Sequence, residues 1–266
     1  MNVARSVCVA FVVAAFASPA MAHPDNGTDV ANTAPAAPEG ESTGGRTFAI
    51  DNDVYTFEYS YPAAVEADPK LKKLLDVDLI TRKGKLFGEA TEQRDYAAKE
   101  GYPYNPFGLW MAWGVAGELP NWLSLSASYS IYQGGAHPNH GYEALLWDRR
   151  AGVQRDVADL FLSKAALSDA LREDFCRELD RQRAEKRERP PEPGSDDPFD
   201  ECIDPVESTV VPATTNGYAF TQIEILVPPY AAGPYVEGAY EVTLPVNARI
   251  LAAVRPEYRG SFSAGH

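Results

Sequence analysis

The strand patterns of this 266-residue chain come in neighbouring pairs, and this order constrains its fold more than any other feature. Aromatic-rich strands are predicted at 109–117 and 122–132, and a second pair at 207–212 and 218–227 encloses a turn at Asn216. One helix follows the first strand and another separates the two hairpins, which differs from the strand–helix alternation of a parallel sheet. The sequence therefore predicts an α+β fold, with antiparallel hairpins and small mixed sheets packed against two main helices.

The first strand and the first helix are predicted from the spacing of their apolar residues. The aromatic residues of Tyr55–Tyr61 alternate with polar ones, as in a half-buried strand. From Asp68 to about Lys99, leucines recur at three- and four-residue steps, which indicates a helix that Gly84 and Gly88 would interrupt.

The second helix is predicted after a short hairpin of strands at 142–147 and 153–155. Asp156 and Asp159 are alternative caps for its start, and a break near Ser163 would divide it into two pieces. A last strand at 240–244 leads into a short helix at 246–254.

The N-terminus predicts export. Arg5 precedes a short apolar run, and Ala20-Met21-Ala22 is typical of a signal peptidase site, so residues 1–22 are expected to be removed near Ala22. The run is too short for a membrane span, so the mature chain is expected to be soluble, in the periplasm or secreted. Residues 23–46 are interpreted as a disordered linker.

Two cysteines, Cys176 and Cys202, remain after cleavage, and an even count in an oxidising compartment predicts a disulfide bond. Two free thiols are the alternative. No metal and no cofactor are expected. The acidic loop at 196–201 lacks the alternating ligands and the glycine of an EF-hand, so a solvated loop pinned by Cys202 is predicted rather than a calcium site.

The charge of the mature chain excludes some partners. Cleavage leaves 23 of the 24 basic residues against 38 acidic ones, a net charge of −15. This balance argues against nucleic acid and anionic lipid as partners and suits a basic protein, although an acidic surface also serves solubility alone.

The stretch from Tyr132 to Gly141 is the candidate site, because His137 and His140 lie between glycines and a proline. Such a segment is interpreted as a rigid loop. The histidines suit a general base or a metal pair, but a third ligand is not identifiable, and Ser126, Ser128 and Ser130 lack the turn that exposes a catalytic serine. The competing interpretation is that His137 hydrogen-bonds backbone carbonyls and locks the loop.

Three motifs carry a resemblance to known families. They are Tyr61-Pro62 with Pro69-x-Leu71, Tyr132-Gln133-Gly134-Gly135-Ala136-His137, and Gly233-Pro234-Tyr235-Val236-Glu237-Gly238-Ala239-Tyr240-Glu241-Val242. Together they resemble the paired extracytoplasmic domains of RsiV-type anti-sigma factors and PdaC-type peptidoglycan deacetylases. The resemblance implies a PdaC-like subdomain at 47–140 and an RsiV C-terminal-like subdomain at 141–260, without the anti-sigma segment or the deacetylase catalytic domain. In RsiV-type proteins this region recognises lysozyme, a basic protein.

The function predicted is therefore that of a cell-envelope recognition module that binds a protein such as lysozyme or a peptidoglycan fragment. The candidate binding residues are Tyr132, His137, His140, Tyr230, Tyr235 and Glu237. This hypothesis requires the loops at 134–141 and 229–238 to be neighbours. The alternative is an envelope hydrolase or deacetylase-related enzyme that uses His137 or His140, with Glu237 or Glu143 as partner.

Overall fold

The computed structural model describes residues 45–192 and 194–265. The expected signal peptide and nearly all of the expected linker lie outside the described residues. Arg46, which the sequence analysis placed in the linker, instead begins the first strand.

A six-stranded sheet forms the first half of the fold, with its strands in sequence order. All neighbours are antiparallel except β2 and β3, which are parallel because a long helix carries the chain back to the same end of the sheet. The strands are β1 (Arg46–Asp51), β2 (Tyr55–Tyr61), β3 (Phe107–Glu118), β4 (Trp122–Tyr132), β5 (Asn139–Asp148) and β6 (Val153–Arg155).

One face of this sheet is covered by α2 (Pro69–Glu100), which follows the short helix α1 (Ala63–Glu66). Asp68 caps α2 by accepting from the backbone N–H groups of Lys70 and Leu71, and it also accepts from the indole of Trp147 on β5. The predicted interruption at the two glycines is wrong, because the helix runs through both. Its buried side consists of Leu71, Leu75, Leu79, Leu86, Ala90 and Ala97.

The second half begins with a 3-10 helix at Val157–Leu160, capped by Asp156, and α3 (Lys164–Arg187), capped by Ser163. The predicted break near Ser163 is therefore confirmed. Cys176 of α3 forms the predicted disulfide with Cys202.

A three-stranded antiparallel sheet completes the fold, and α3 packs against it. Its strands are β7 (Thr209–Ala213), β8 (Gln222–Val227) and β9 (Tyr240–Pro245), and α4 (Ala248–Ala253) follows. Short 3-10 helices occur at Pro205–Glu207, Tyr235–Glu237 and Pro256–Ser261.

The α+β fold with two main helices is thus as predicted. Two apolar cores fill it, one between α2 and the large sheet and one between α3 and the small sheet. The subdomain boundary predicted between 140 and 141 falls inside β5, and the large sheet continues past it to Arg155. In the described ranges, no helix is long and apolar enough to cross a membrane.

Candidate functional site

The first candidate loop is shorter than predicted. His140 does not lie in a loop: it belongs to β5 and pairs with Ser130 of β4. The backbone of Asn139 likewise pairs with β4, opposite Ile131, so only residues 133–138 are free of the ladder. A glycine at positive φ, Gly134, makes the turn out of β4. The glycine-histidine segment is therefore the tight end of a hairpin.

The second candidate loop connects β8 to β9 and contains the 3-10 helix Tyr235–Glu237. Tyr230 adopts a φ of 70°, a conformation that few residues other than glycine take up. Its side chain is 54% exposed, and Val236 at the tip of the loop is 90% exposed. An apolar and aromatic tip is therefore presented to solvent.

The two loops meet, as the sequence analysis required. The rings of His137 and Tyr235 are stacked, with centroids 3.9 Å apart and planes 22° apart. His140 lies 6.2 Å from Tyr235, and Tyr230 lies 5.4 Å from Tyr235 and 6.4 Å from His137. We call these four side chains the aromatic cluster.

Hydrogen bonds to one carbonyl hold the cluster together. The Pro138 oxygen accepts from the Tyr235 hydroxyl at 3.0 Å and from Nδ1 of His137 at 3.0 Å. Nδ1 of His137 therefore carries a proton, and in the neutral ring Nε2 accepts from the Tyr230 hydroxyl at 3.5 Å. The expectation that His137 bonds a backbone carbonyl and locks the loop agrees with this arrangement.

The surroundings shift the pKa values of two residues of the cluster. Burial, followed by the neighbouring His137, lowers the pKa of His140. Burial, followed by Tyr230, raises the pKa of Tyr235, so its hydroxyl remains a hydrogen-bond donor at neutral pH. Aromatic rings with polar tips suit contacts by stacking and hydrogen bonding.

Glu237 belongs to the same 3-10 helix as Tyr235 but is turned to other partners. Its side chain is only 10% exposed and accepts from Arg187 at 2.8 and 3.1 Å and from the Tyr240 hydroxyl. Burial by itself would raise the pKa of Glu237, but the hydrogen bonds from Arg187 and Tyr240 outweigh it and lower the pKa. Arg187 also pairs with Asp200 at 2.7 Å, which ties the acidic loop to α3.

Tyr132 stands apart from the cluster. It is the last residue of β4, half-buried and opposite Gly108 of β3. Within the described ranges, no ring contact or hydrogen bond joins it to the other candidate residues. The structure thus brings together four of the six candidates, pairs Glu237 with Arg187 and leaves Tyr132 on the strand.

An acidic pair, Glu224 and Glu241, is linked to β5 through Tyr142. Tyr142, two residues beyond His140 and on the same face of β5, donates its hydroxyl to Glu241 at 3.0 Å. Glu224 lies on β8, the strand next to the β9 strand that carries Glu241. Burial, followed by the charge of Glu241, raises the pKa of Glu224. This position favours the arrival of a positive charge.

Sequence reasoning missed the basic residues at the end of α3. Lys186 donates to the carbonyls of Glu237 and Ala239 and lies 3.9 Å from the ring centroid of Tyr240. With Arg187, it holds the second loop against α3. In the sequence both residues belong to a run of charged residues in a predicted helix. Such a run does not reveal which of its basic side chains are exposed to solvent and which bind other parts of the fold.

Several polar atoms of this arrangement are already hydrogen-bonded or buried. Both ring nitrogens of His137 already have partners, and the Ser130 hydroxyl opposite His140 is fully buried. Within the described ranges, no three His, Cys, Asp or Glu side chains converge to hold a metal ion. The exposed groups are aromatic faces, hydroxyls and carboxylates.

Comparisons with known proteins place this geometry among two families. Residues 49–140 match the family model described as Deacetylase PdaC, and residues 158–247 match the model described as protein of unknown function DUF3298. A comparison with proteins of curated function found no match.

Solved structures include two similar chains. A DUF3298 family protein from Pseudomonas aeruginosa is 14% identical, with 84% of this chain and 97% of that chain covered and a TM-score of 0.45. A member of the same family from Bacteroides fragilis is 13% identical, with 84% and 98% covered and a TM-score of 0.47. The family resemblance inferred from the sequence motifs is confirmed by the family models: the chain contains a PdaC family domain followed by a DUF3298 family domain.

Proposed function

We propose that this protein is an exported recognition module of the cell envelope, and that it binds a basic protein such as lysozyme through the aromatic cluster. The observation that carries the proposal is the stack of His137 on Tyr235, which joins a loop from each sheet into one surface. Rigid aromatic side chains with polar tips give a large contact area at a low entropic cost. The signal-peptide pattern of residues 1–22 supports export.

The acidic pair supports a basic ligand. Glu241 lies against Tyr142, two residues beyond His140, with Glu224 next to it, and the mature chain carries a net charge of −15. A lysine or arginine brought against Glu224 would offset the desolvation of its carboxylate. Complementary charge also accelerates association, so binding should weaken as salt rises.

A peptidoglycan fragment is the competing ligand, because the exposed ring of Tyr230 could stack on a sugar. Calorimetric titration with lysozyme and with soluble peptidoglycan fragments separates the two. We expect saturable, salt-sensitive binding of lysozyme that Tyr235→Ala weakens by at least about tenfold, the scale of a central aromatic contact. Tyr218→Ala is the control, since Tyr218 is 83% exposed and lies in the turn between β7 and β8.

Absence of saturable lysozyme binding would overturn the basic protein as ligand, and absence of binding to isolated peptidoglycan as well would overturn the recognition hypothesis. The enzyme alternative has its own signature. If His140→Ala abolished a hydrolytic activity on peptidoglycan while the melting temperature stayed unchanged, His140 would have a catalytic role and the recognition hypothesis would be wrong.

A further inference from the structure

Helix α2 has a second apolar stripe on its solvent side. Val77, Ile80 and Phe87 are 56, 62 and 52% exposed, and their spacing places them on one side of the helix. The buried leucines of α2 lie on a different side, against the large sheet. Three large apolar side chains in a row are more than scattered surface residues, and such rows mark interaction surfaces.

Two glycines lie in the same stripe. Gly84 and Gly88 are one turn apart, and a Cβ added to either would meet no atom within 4 Å. Neither has a positive φ. Glycine destabilises a helix interior relative to alanine. No contact within the described part of the fold requires glycine at these two positions. They would be explained by a close approach of another backbone.

We propose that α2 is a self-association surface, on which a second copy of this chain packs antiparallel with Gly84 at the twofold axis. In this register Ile80 lies against Gly88 of the second copy, and Val77 lies against Thr91. Phe87 lies against Thr81, so the two largest side chains of the stripe, Ile80 and Phe87, each meet a smaller residue. Ridges that fit into grooves in this way allow close helix packing.

Charge complementarity selects the antiparallel arrangement. Lys73 and Asp95 extend the stripe at its two ends, each eleven residues, or about 16 Å, from Gly84. Antiparallel packing places Lys73 of each copy against Asp95 of the other. Parallel packing would place Lys73 against Lys73 and Asp95 against Asp95, which is repulsive. The contact is isologous, so it closes at a dimer.

This surface is independent of the aromatic cluster. Glu143 of β5 pairs with Arg82 of α2, so odd-numbered side chains in this part of β5 face the helix. His140 and Tyr142 therefore point to the opposite face of the sheet. A dimer through α2 would leave both clusters accessible, and failure of the recognition proposal would not affect this one.

Sedimentation velocity of the purified full chain over a range of concentrations tests the proposal. One helix face is smaller than a standard interface, so we expect a reversible dimer with a Kd in the roughly micromolar range. Ile80→Asp should raise the Kd by at least about tenfold, whereas Tyr218→Asp, a change at a more exposed apolar residue outside α2, should leave it unchanged. Lys73→Glu should weaken the dimer, and adding Asp95→Lys should restore it.

A cysteine at the twofold axis gives a second readout. Gly84→Cys should form an intermolecular disulfide under mild oxidation, because residue 84 meets itself, while Lys85→Cys points about 100° away and should not. Circular dichroism confirms that each variant is folded. The proposal is overturned if the wild type remains monomeric at about 0.5 mM, far above the expected Kd, or if Ile80→Asp and Tyr218→Asp behave alike. Equal cross-linking of the two cysteine variants would overturn the register.

Discussion

Replacing Arg187 with methionine removes the cation that Glu237 and Asp200 share. The Arg187 side chain is 7% exposed, and its Nε lies 2.8 Å from Oε1 of Glu237. Methionine keeps much of the apolar stem, so the change removes the charge and the hydrogen bonds that the guanidinium donates, including those to the carbonyls of Phe199 and Ala232. Loss of one partner of a buried pair costs about 3–5 kcal/mol, and because Glu237 retains some exposure we expect about 3 kcal/mol at pH 7.

The effect should depend on pH in a defined direction. The pKa of Glu237 is lowered by Arg187 from an ordinary value of 4.5, so this stabilisation is present above that value and is lost as the pH falls through the lower folded-state pKa. In the variant, burial remains without the guanidinium and raises the pKa of Glu237. Protonation then removes the uncompensated charge, and the difference in unfolding free energy between the two proteins should shrink as the pH falls from 7 to about 4.

Urea denaturation at pH 7 and at pH 4 measures both quantities. Arg177→Met on the same helix is the matched control, because Arg177 pairs with Asp174 but is 68% exposed, and an exposed pair contributes about 0–1 kcal/mol. A loss below about 1 kcal/mol for Arg187→Met at pH 7, or a loss that does not vary with pH, would refute a structural role for this pair.

Three further predictions concern other parts of the fold. Replacing Cys176 and Cys202 with serine should lower the unfolding free energy by about 3.5 kcal/mol in the chain-entropy model for their separation of 26 residues, and an unchanged urea midpoint would contradict this. Asp68→Ala should lower the unfolding free energy, measured by calorimetry, by about 1–3 kcal/mol, since it removes the α2 cap and the acceptor of the Trp147 indole. The control Asp95→Ala, on the exposed side of the same helix, should lower it by less than about 0.5 kcal/mol. The pKa of His140 is lowered below 6.5, so its contribution to stability is present above that pH and is lost as the pH falls. The melting temperature of the wild type should therefore decrease between about pH 7.5 and 5.5, and His140→Asn should make this decrease smaller. Identical pH profiles for the wild type and the variant would contradict this last prediction.

Several elements could be predicted because their signals are local. The alternation of Tyr55–Tyr61 reports one buried face of a strand, and Ser163 is a side-chain cap next to an apolar stripe. The disulfide followed from compartment and count. Strand β1 was missed because it is an edge strand with alternating half-exposed and exposed residues, and its apolar signal is reduced to Phe48 and Ile50.

Some roles of the candidate residues could be predicted from the local sequence, and others depend on distant contacts. Tyr235 and His137 were identified as contact residues because glycines and a proline mark loops, and loops carry exposed aromatic groups. Glu237 was assigned to the same surface, but whether a carboxylate points to solvent or to a partner depends on Arg187, which is 50 residues away in the sequence. His140 was placed in a loop, although pairing with Ser130 draws it into β5.

The sequence by itself determined the α+β class, the helix break near Ser163, the cysteine bridge and the residues that carry aromatic and histidine chemistry, since each depends on neighbours within a few positions or on composition. Only the tertiary structure decided that β2 and β3 run parallel, that Arg187 neutralises Glu237, and that one apolar stripe of α2 is buried while another faces solvent. These features depend on contacts between residues far apart in the chain. The spacing of residues along a helix or strand determines which side chains lie on the same face. The elements packed against that face determine what those side chains do.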